Sequence, residues 1–181
     1  MQSRVSDDTL FNIMLRSDIE TITSICLTRP ISYCSDEYFW KLKFDQSQLP
    51  ILTKIWPTTL QGWRREYIRV DEATTKANNI ITLLKNNDIT FSHTSEQFNF
   101  KNILPLALRS AMYHFNPRYQ TFTSLSLKYD DIAYKTNYRV VILSPDRLYH
   151  GFDIKLNDLY DVFTIIFYHY PSISYNIRYV G

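Results

Sequence analysis

The feature that most constrains this chain is residues 8–44, DTLFNIMLRSDIETITSICLTRPISYCSDEYFWKLKF. Two short apolar segments, 10–15 and 19–27, are separated by the polar trio Arg16-Ser17-Asp18, and a third carries Phe39, Trp40, Leu42 and Phe44. Leu10, Ile13 and Met14 recur at the spacing of one helix face, and Ile19, Ile22, Ile25 and Cys26 do the same. Ser17 and Glu20 have the spacing of a capping box, with Asp18 adding negative charge near the positive helix end. Pro30 predicts a helix stop, because proline excludes the residue before it from helical dihedrals. Ser35 is expected to cap the third helix, with Asp36 and Glu37 in its first turn. Each helix is too short to be stable alone, so the three must stack on one another or on a partner. Within 10–15, the apolar residues Leu10, Phe11, Ile13, Met14 and Leu15 exceed one ordinary core stripe. The expectation is a first helix with one face turned inward and one offered to a partner.

The trio resembles an F-box domain, the three-helix module that docks on the Skp-type adaptor of cullin ubiquitin ligases. Leu10-Phe11-Asn12-Ile13-Met14-Leu15 looks like its first helix, residues 19–27 like its second, and Phe39-Trp40-Lys41-Leu42 like its tryptophan-bearing third. The wording SICLT, YCSD and FWKLKF leading to Leu49-Pro50 is similar to F-box-like proteins encoded by large DNA viruses. The resemblance covers about the first quarter of the chain. The Leu-Pro pair that commonly opens the pattern is absent, and Ser6-Asp7-Asp8-Thr9 stands there. What the resemblance implies is an adaptor contact drawn from Leu10, Phe11, Ile13, Met14, Leu15, Ile22, Ile25 and Trp40.

Past the trio, Thr58 and Gln61 repeat the capping-box spacing and predict a helix in which Trp63 and Tyr67 face the trio. Asp71-Glu72 predicts the opening of a further helix, striped by Ala73, Ala77, Ile80, Ile81 and Leu84 and ended by Asn86-Asn87-Asp88. That ending is the candidate boundary between a helical part, 7–87, and a second part, 88–181. In the second part a helix is expected over 103–115. Residues 121–129 and 138–143, rich in Thr, Val, Ile and Tyr, predict an antiparallel pair. Leu159, Phe163, Ile166, Phe167 and Tyr170 mark a helix ended by Pro171, and Ile173, Tyr175, Ile177 and Tyr179 alternate as a strand. The fold class expected is therefore α+β: an F-box-like three-helix module with supporting helices, then a small antiparallel sheet with two helices.

Several chemistries are disfavoured. The net charge of +2 gives no reason to expect a nucleic-acid partner. Only 3 Gly are present, which removes phosphate-cradling glycine loops. No apolar stretch approaches the ~20 residues of a membrane span, and no secretory leader is expected. His93, His114, His150 and His169 are scattered, without metal-ligand spacing, so neither cofactor nor metal is expected. Cys26 and Cys34 are compatible with a disulfide, but free buried thiols in a reducing intracellular compartment are the favoured expectation. Trp40, Trp56 and Trp63 read either as core or as partner anchors.

The function expected is non-enzymatic: a binding protein that docks on a Skp-type adaptor and recruits an unidentified target protein. The alternative is a structural or virion-associated scaffold that uses the trio for packing or self-association. A third reading places a metal-dependent hydrolase in the second half, around Asp130-Asp131, Asp146, Asp153, Asp158 and Asp161. Local hydrogen bonding in turns and the helix dipole explain most of these carboxylates more simply.

Overall fold

The computed structural model describes residues 6–29, 31–84, 87–92, 98–99, 121–122, 124–130, 137–143 and 149–179, with side chains described over 6–29, 31–84 and 155–177. Five α-helices are present among them: α1 Asp7–Arg16, α2 Ile19–Thr28, α3 Glu37–Gln46, α4 Leu60–Leu84 and α5 Leu156–His169, with a 3-10 turn at Ser32–Cys34. The chain divides into two compact units, Met1–Asp71 and Glu72–Gly181. The division falls inside α4, well before the boundary expected at 87.

Each helix of the first unit starts where a side chain satisfies an orphan backbone donor. Ser6 Oγ accepts from Thr9 N at 3.2 Å, and Asp7 and Asp8 occupy the first turn of α1. The residues standing in place of the Leu-Pro opening thus form a polar helix start. Asp18, not Ser17, caps α2, its carboxylate accepting from Thr21 N at 2.7 Å. Ser17 instead closes α1, and its hydroxyl donates to Ile13 O at 2.8 Å. Glu20, expected to reach back to the cap, reaches Arg64 at 2.7 Å. In α3 the cap is Asp36 rather than Ser35, accepting from Tyr38 N at 2.7 Å. Before α4, Thr59 rather than Thr58 takes the part, with Gly62 N donating to its Oγ1 at 3.1 Å. Asp71-Glu72 opens no helix, because α4 runs through them. Trp63, Glu66, Val70, Ala73, Ala77, Ile80 and Leu84 are all buried at alternating three- and four-residue steps, and no Gly or Pro interrupts that stripe.

The end of α3 is a Schellman turn: Leu49 N donates to Phe44 O and Gln48 N to Asp45 O, both at 2.9 Å. Gln48 takes the left-handed conformation this turn requires, with φ 54°, a position glycine occupies without strain. Gln48→Gly is therefore expected to raise stability by about 0.5 kcal/mol in a urea titration followed by circular dichroism. A loss of stability would show that the Gln48 side chain contributes more than its backbone strain costs.

In the second unit, strands β1 Asn87–Ser92, β4 Ser124–Asp130, β5 Asn137–Leu143, β6 Tyr149–Ile154 and β7 Tyr175–Tyr179 form an antiparallel sheet in the order β6-β5-β4-β1-β7. The register sets Leu125 opposite Ile142, Val140 opposite Phe152, and Asn87 opposite Tyr179. Strands β2 Phe98–Asn99 and β3 Thr121–Phe122 pair separately. Helix α5 lies against β5. It buries Leu159, Val162, Phe163, Thr164, Ile166, Phe167 and Tyr168, more than one stripe, as a helix enclosed on most sides does. Tyr170 closes it and Pro171 follows. The helix expected over 103–115 lies outside the described residues. Among the described residues, no helix is long and apolar enough to cross a membrane.

Candidate functional site: the helical trio

The first unit is held by an aromatic core. Trp40 and Trp63 stack with ring centroids 5.9 Å apart and planes 8° from parallel. Phe39 meets Trp40 edge-on at 5.5 Å, Tyr67 meets Phe44 at 5.4 Å, and Trp56 leans on Trp63 at 5.7 Å. Both buried indoles donate: Trp40 Nε1 to Cys34 O at 3.1 Å and Trp63 Nε1 to Ser35 O at 3.3 Å. Tyr67 donates its hydroxyl to Ser47 Oγ at 2.8 Å. Trp63 and Tyr67 thus meet the trio, as their spacing implies, and Trp40 is core.

The residues expected to form the adaptor contact divide sharply. Met14, Ile22 and Trp40 are fully enclosed and Leu10 nearly so, which removes these four from any surface that a partner touches without opening the fold. Phe11, Leu15 and Ile25 are half-buried, and Phe11 is in edge contact with Tyr33 at 5.0 Å and Phe39 at 5.5 Å. Ile13 alone of the eight is exposed, at 45%. The helix therefore does carry apolar residues on two sides, but the outward side is Ile13 rather than its neighbour Met14. Two further exposed apolar residues belong to the trio and were not expected: Leu27 at 71% on α2 and Tyr38 at 64% on α3. Leu27 lies in the last turn of α2 and Tyr38 in the first turn of α3, and neither position reads as outward from apolar spacing alone.

One buried cation organises the junction of α1 and α2. Lys43, 5% exposed, donates through Nζ to Leu15 O at 2.9 Å and Ser17 O at 2.7 Å, carbonyls at the C-terminal end of α1. A positive charge there also complements the helix dipole. The Tyr67 ring lies 5.9 Å from the ammonium. Burial holds the Lys43 pKa below its ordinary value, and the nearby Asp18 carboxylate opposes that shift. Asp18 itself is held below the usual carboxylate range, chiefly by the hydrogen bond from the Thr21 backbone. The sign follows: capping by Asp18 is in force above pH 3.8 and is lost as pH falls through its lowered pKa. Asp18→Ala is expected to lower the melting temperature at neutral pH and to flatten the acid limb of the stability profile. An acid limb identical to wild type would remove Asp18 as its cause.

Cys26 and Cys34 are not free thiols. They form a disulfide with Cα atoms 5.7 Å apart, joining the last turn of α2 to the 3-10 turn. Sequence separation alone did not supply that distance. The ion pairs Asp7–Arg29, Glu37–Lys41 and Glu20–Arg64 are solvent-exposed and contribute little.

In the second unit, Asp158 lies in the first turn of α5, and burial together with the Asp158 charge raises the pKa of Asp161. Among the described residues, no three His, Cys, Asp or Glu side chains gather as a metal site; Asp131, Asp146, His93 and His114 lie outside them, as do the side chains of Asp130, Asp153 and His150. A cavity of about 130 Å³ is lined by Lys76, Asn79, Ile80, Phe167, Pro171, Ile173 and Tyr175. It is smaller than an ordinary ligand pocket, and the Lys76 ammonium donates to Pro171 O at 3.0 Å. No protein-family model, curated protein or solved structure matches the chain.

Proposed function

We propose that the chain is a non-enzymatic α+β binding protein whose helical part is an F-box-like module. In this reading it docks on a Skp-type adaptor of a cullin ubiquitin ligase inside the cell, and residues 88–181 recruit the target protein. One observation carries the reading: Ile13 is exposed on the helix that the resemblance assigns to adaptor contact, while Met14 beside it is fully buried. Large apolar side chains left exposed on short helices are what partner recognition uses. Leu27 and Tyr38 are further exposed apolar residues of the same unit.

The test is calorimetric titration of the full chain with a Skp-type adaptor, repeated with the double variant Ile13→Asp, Leu27→Asp. Both residues are exposed, so the expected result is an unchanged melt with affinity reduced at least tenfold. Met14 is left intact because a charge at a fully buried position would unfold the unit. No binding by the wild-type chain would end the adaptor reading.

A second reading, a structural or virion-associated scaffold that self-associates, is favoured by two observations. The disulfide suits an oxidising setting, and the polar start at Ser6 replaces the adaptor-shaping Leu-Pro pair. Light scattering separates the readings: a concentration-dependent oligomer dispersed by Ile13→Asp, Leu27→Asp, without adaptor binding, would establish the scaffold.

A further inference from the structure

We propose that the Cys26–Cys34 disulfide is a redox-operated clamp on the aromatic core of the first unit. The bridge ties α2 to the 3-10 turn Ser32–Cys34, and the carbonyls at and just after that turn are the acceptors for the two buried indoles. Trp40 takes the Cys34 carbonyl and Trp63 the Ser35 carbonyl, and these two rings stack on each other. No side chain caps the turn; besides the bridge and the indole bonds, it is held by the backbone bonds from Cys34 N to Ile31 O, Ser35 N to Ser32 O and Asp36 N to Tyr33 O, and by the edge contact of Tyr33 with Phe11. Cys26 and Cys34 are both buried, so a thiol reaches the bridge only when this short turn opens locally, and that opening also releases the two indole acceptors.

The chemistry balances with a low-molecular-weight thiol as reductant. A thiolate attacks one sulfur, the Cys26–Cys34 bond breaks to a mixed disulfide and one protein thiolate, and that thiolate takes a proton. A second thiolate then attacks the mixed disulfide, releasing the oxidised small-molecule disulfide and the other protein thiol. Two electrons pass to the protein, and the reverse sequence restores the bridge. The inference takes its intracellular setting from the adaptor reading, because disulfides in such compartments are usually transient and sensing rather than permanent. Its test uses no adaptor, so the two can fail separately.

All three tryptophans of the chain, Trp40, Trp56 and Trp63, lie in the first unit, so indole fluorescence of the full-length protein reports on that unit selectively. The experiment compares fluorescence melts of the oxidised chain, the chain equilibrated with reduced glutathione at neutral pH, and the reduced chain re-oxidised with glutathione disulfide. Thiol titration after denaturation verifies each state. The expected result is two titratable thiols after reduction, a melting temperature lower by about 10 °C, a red-shifted emission, and recovery on re-oxidation. Cys26→Ser, Cys34→Ser is expected to melt with the reduced chain and to ignore glutathione. If that variant fails to fold, the reduced wild-type chain alone decides. A bridge that glutathione does not open below the melting temperature would make it a permanent staple and overturn the proposal. So would a reduced chain whose melt and emission match those of the oxidised one.

Discussion

Trp40→Ala is expected to remove about 4 kcal/mol from the first unit, a large share of what holds a unit of this size together. Trp40 has no exposed surface, so truncation leaves a cavity bounded by Phe39, Trp63 and Tyr67, whose rings surround it. The cost has two sources that separate experimentally. One is the lost ring volume and stacking. The other is the lost hydrogen bond from the indole to Cys34 O at 3.1 Å, worth about 1 kcal/mol net. Trp40→Phe keeps an aromatic ring but no donor, and should cost roughly half as much as the alanine. Urea titrations followed by circular dichroism and by the remaining tryptophans measure both. A loss below 1 kcal/mol for the alanine would mean that the core repacks and that the Trp40–Trp63 stack is not its centre.

Lys43→Met is expected to cost about 2 kcal/mol and to change the alkaline limb of the stability profile. Methionine keeps the apolar stem but strands two carbonyls at the end of α1, Leu15 O and Ser17 O, both now bonded to the ammonium. Against this stands the desolvation of a buried cation, which lowers the Lys43 pKa from 10.5. Two charge-assisted hydrogen bonds outweigh one partly compensated desolvation, so the variant loses stability at neutral pH. The pH sign is opposite to that of a paired lysine. Between the lowered folded pKa and 10.5 the unfolded chain binds more protons than the folded one, so wild-type stability rises with pH across that window. Below the folded pKa the desolvation cost is fully present. Lys43→Met should lack this rise. Equal alkaline slopes in the two proteins would assign the behaviour to other groups.

The helices of the trio were legible from apolar spacing, whereas the starts of α2 and α3 were displaced by one residue each. Ser17-Asp18 and Ser35-Asp36 each offer two adjacent capping oxygens, and the carboxylate takes the cap because it adds full negative charge at the positive helix end. Ser17 was misleading for a further reason: its hydroxyl belongs to the preceding helix, bonded to Ile13 O. The unity of α4 was hidden by Asp71-Glu72, which imitate a first turn while lying on the exposed face of a continuing helix. The surplus of apolar residues in α1 was visible, but which of Ile13 and Met14 points outward depends on where α3 packs. That is a tertiary fact, and the contact between α1 and α3 supplies it. The disulfide was illegible for the same reason, because a turn of 3-10 helix brings Cys34 back to α2.

The pairing of β1 with β7 has a consequence for synthesis. Asn87 finds its partner in Tyr179, so a strand made early in the second unit waits for one of the latest before that side of the sheet closes. Translation adds about 5–20 residues per second, and β1 emerges several seconds ahead of β7. During that interval β1 has one row of backbone donors and acceptors without its native neighbour, a template on which a strand from another nascent chain can pair. Ribosomes crowded on one message bring such chains close together. The vulnerable moment of this fold therefore lies in its making, and slower translation beyond β1 should increase aggregated product.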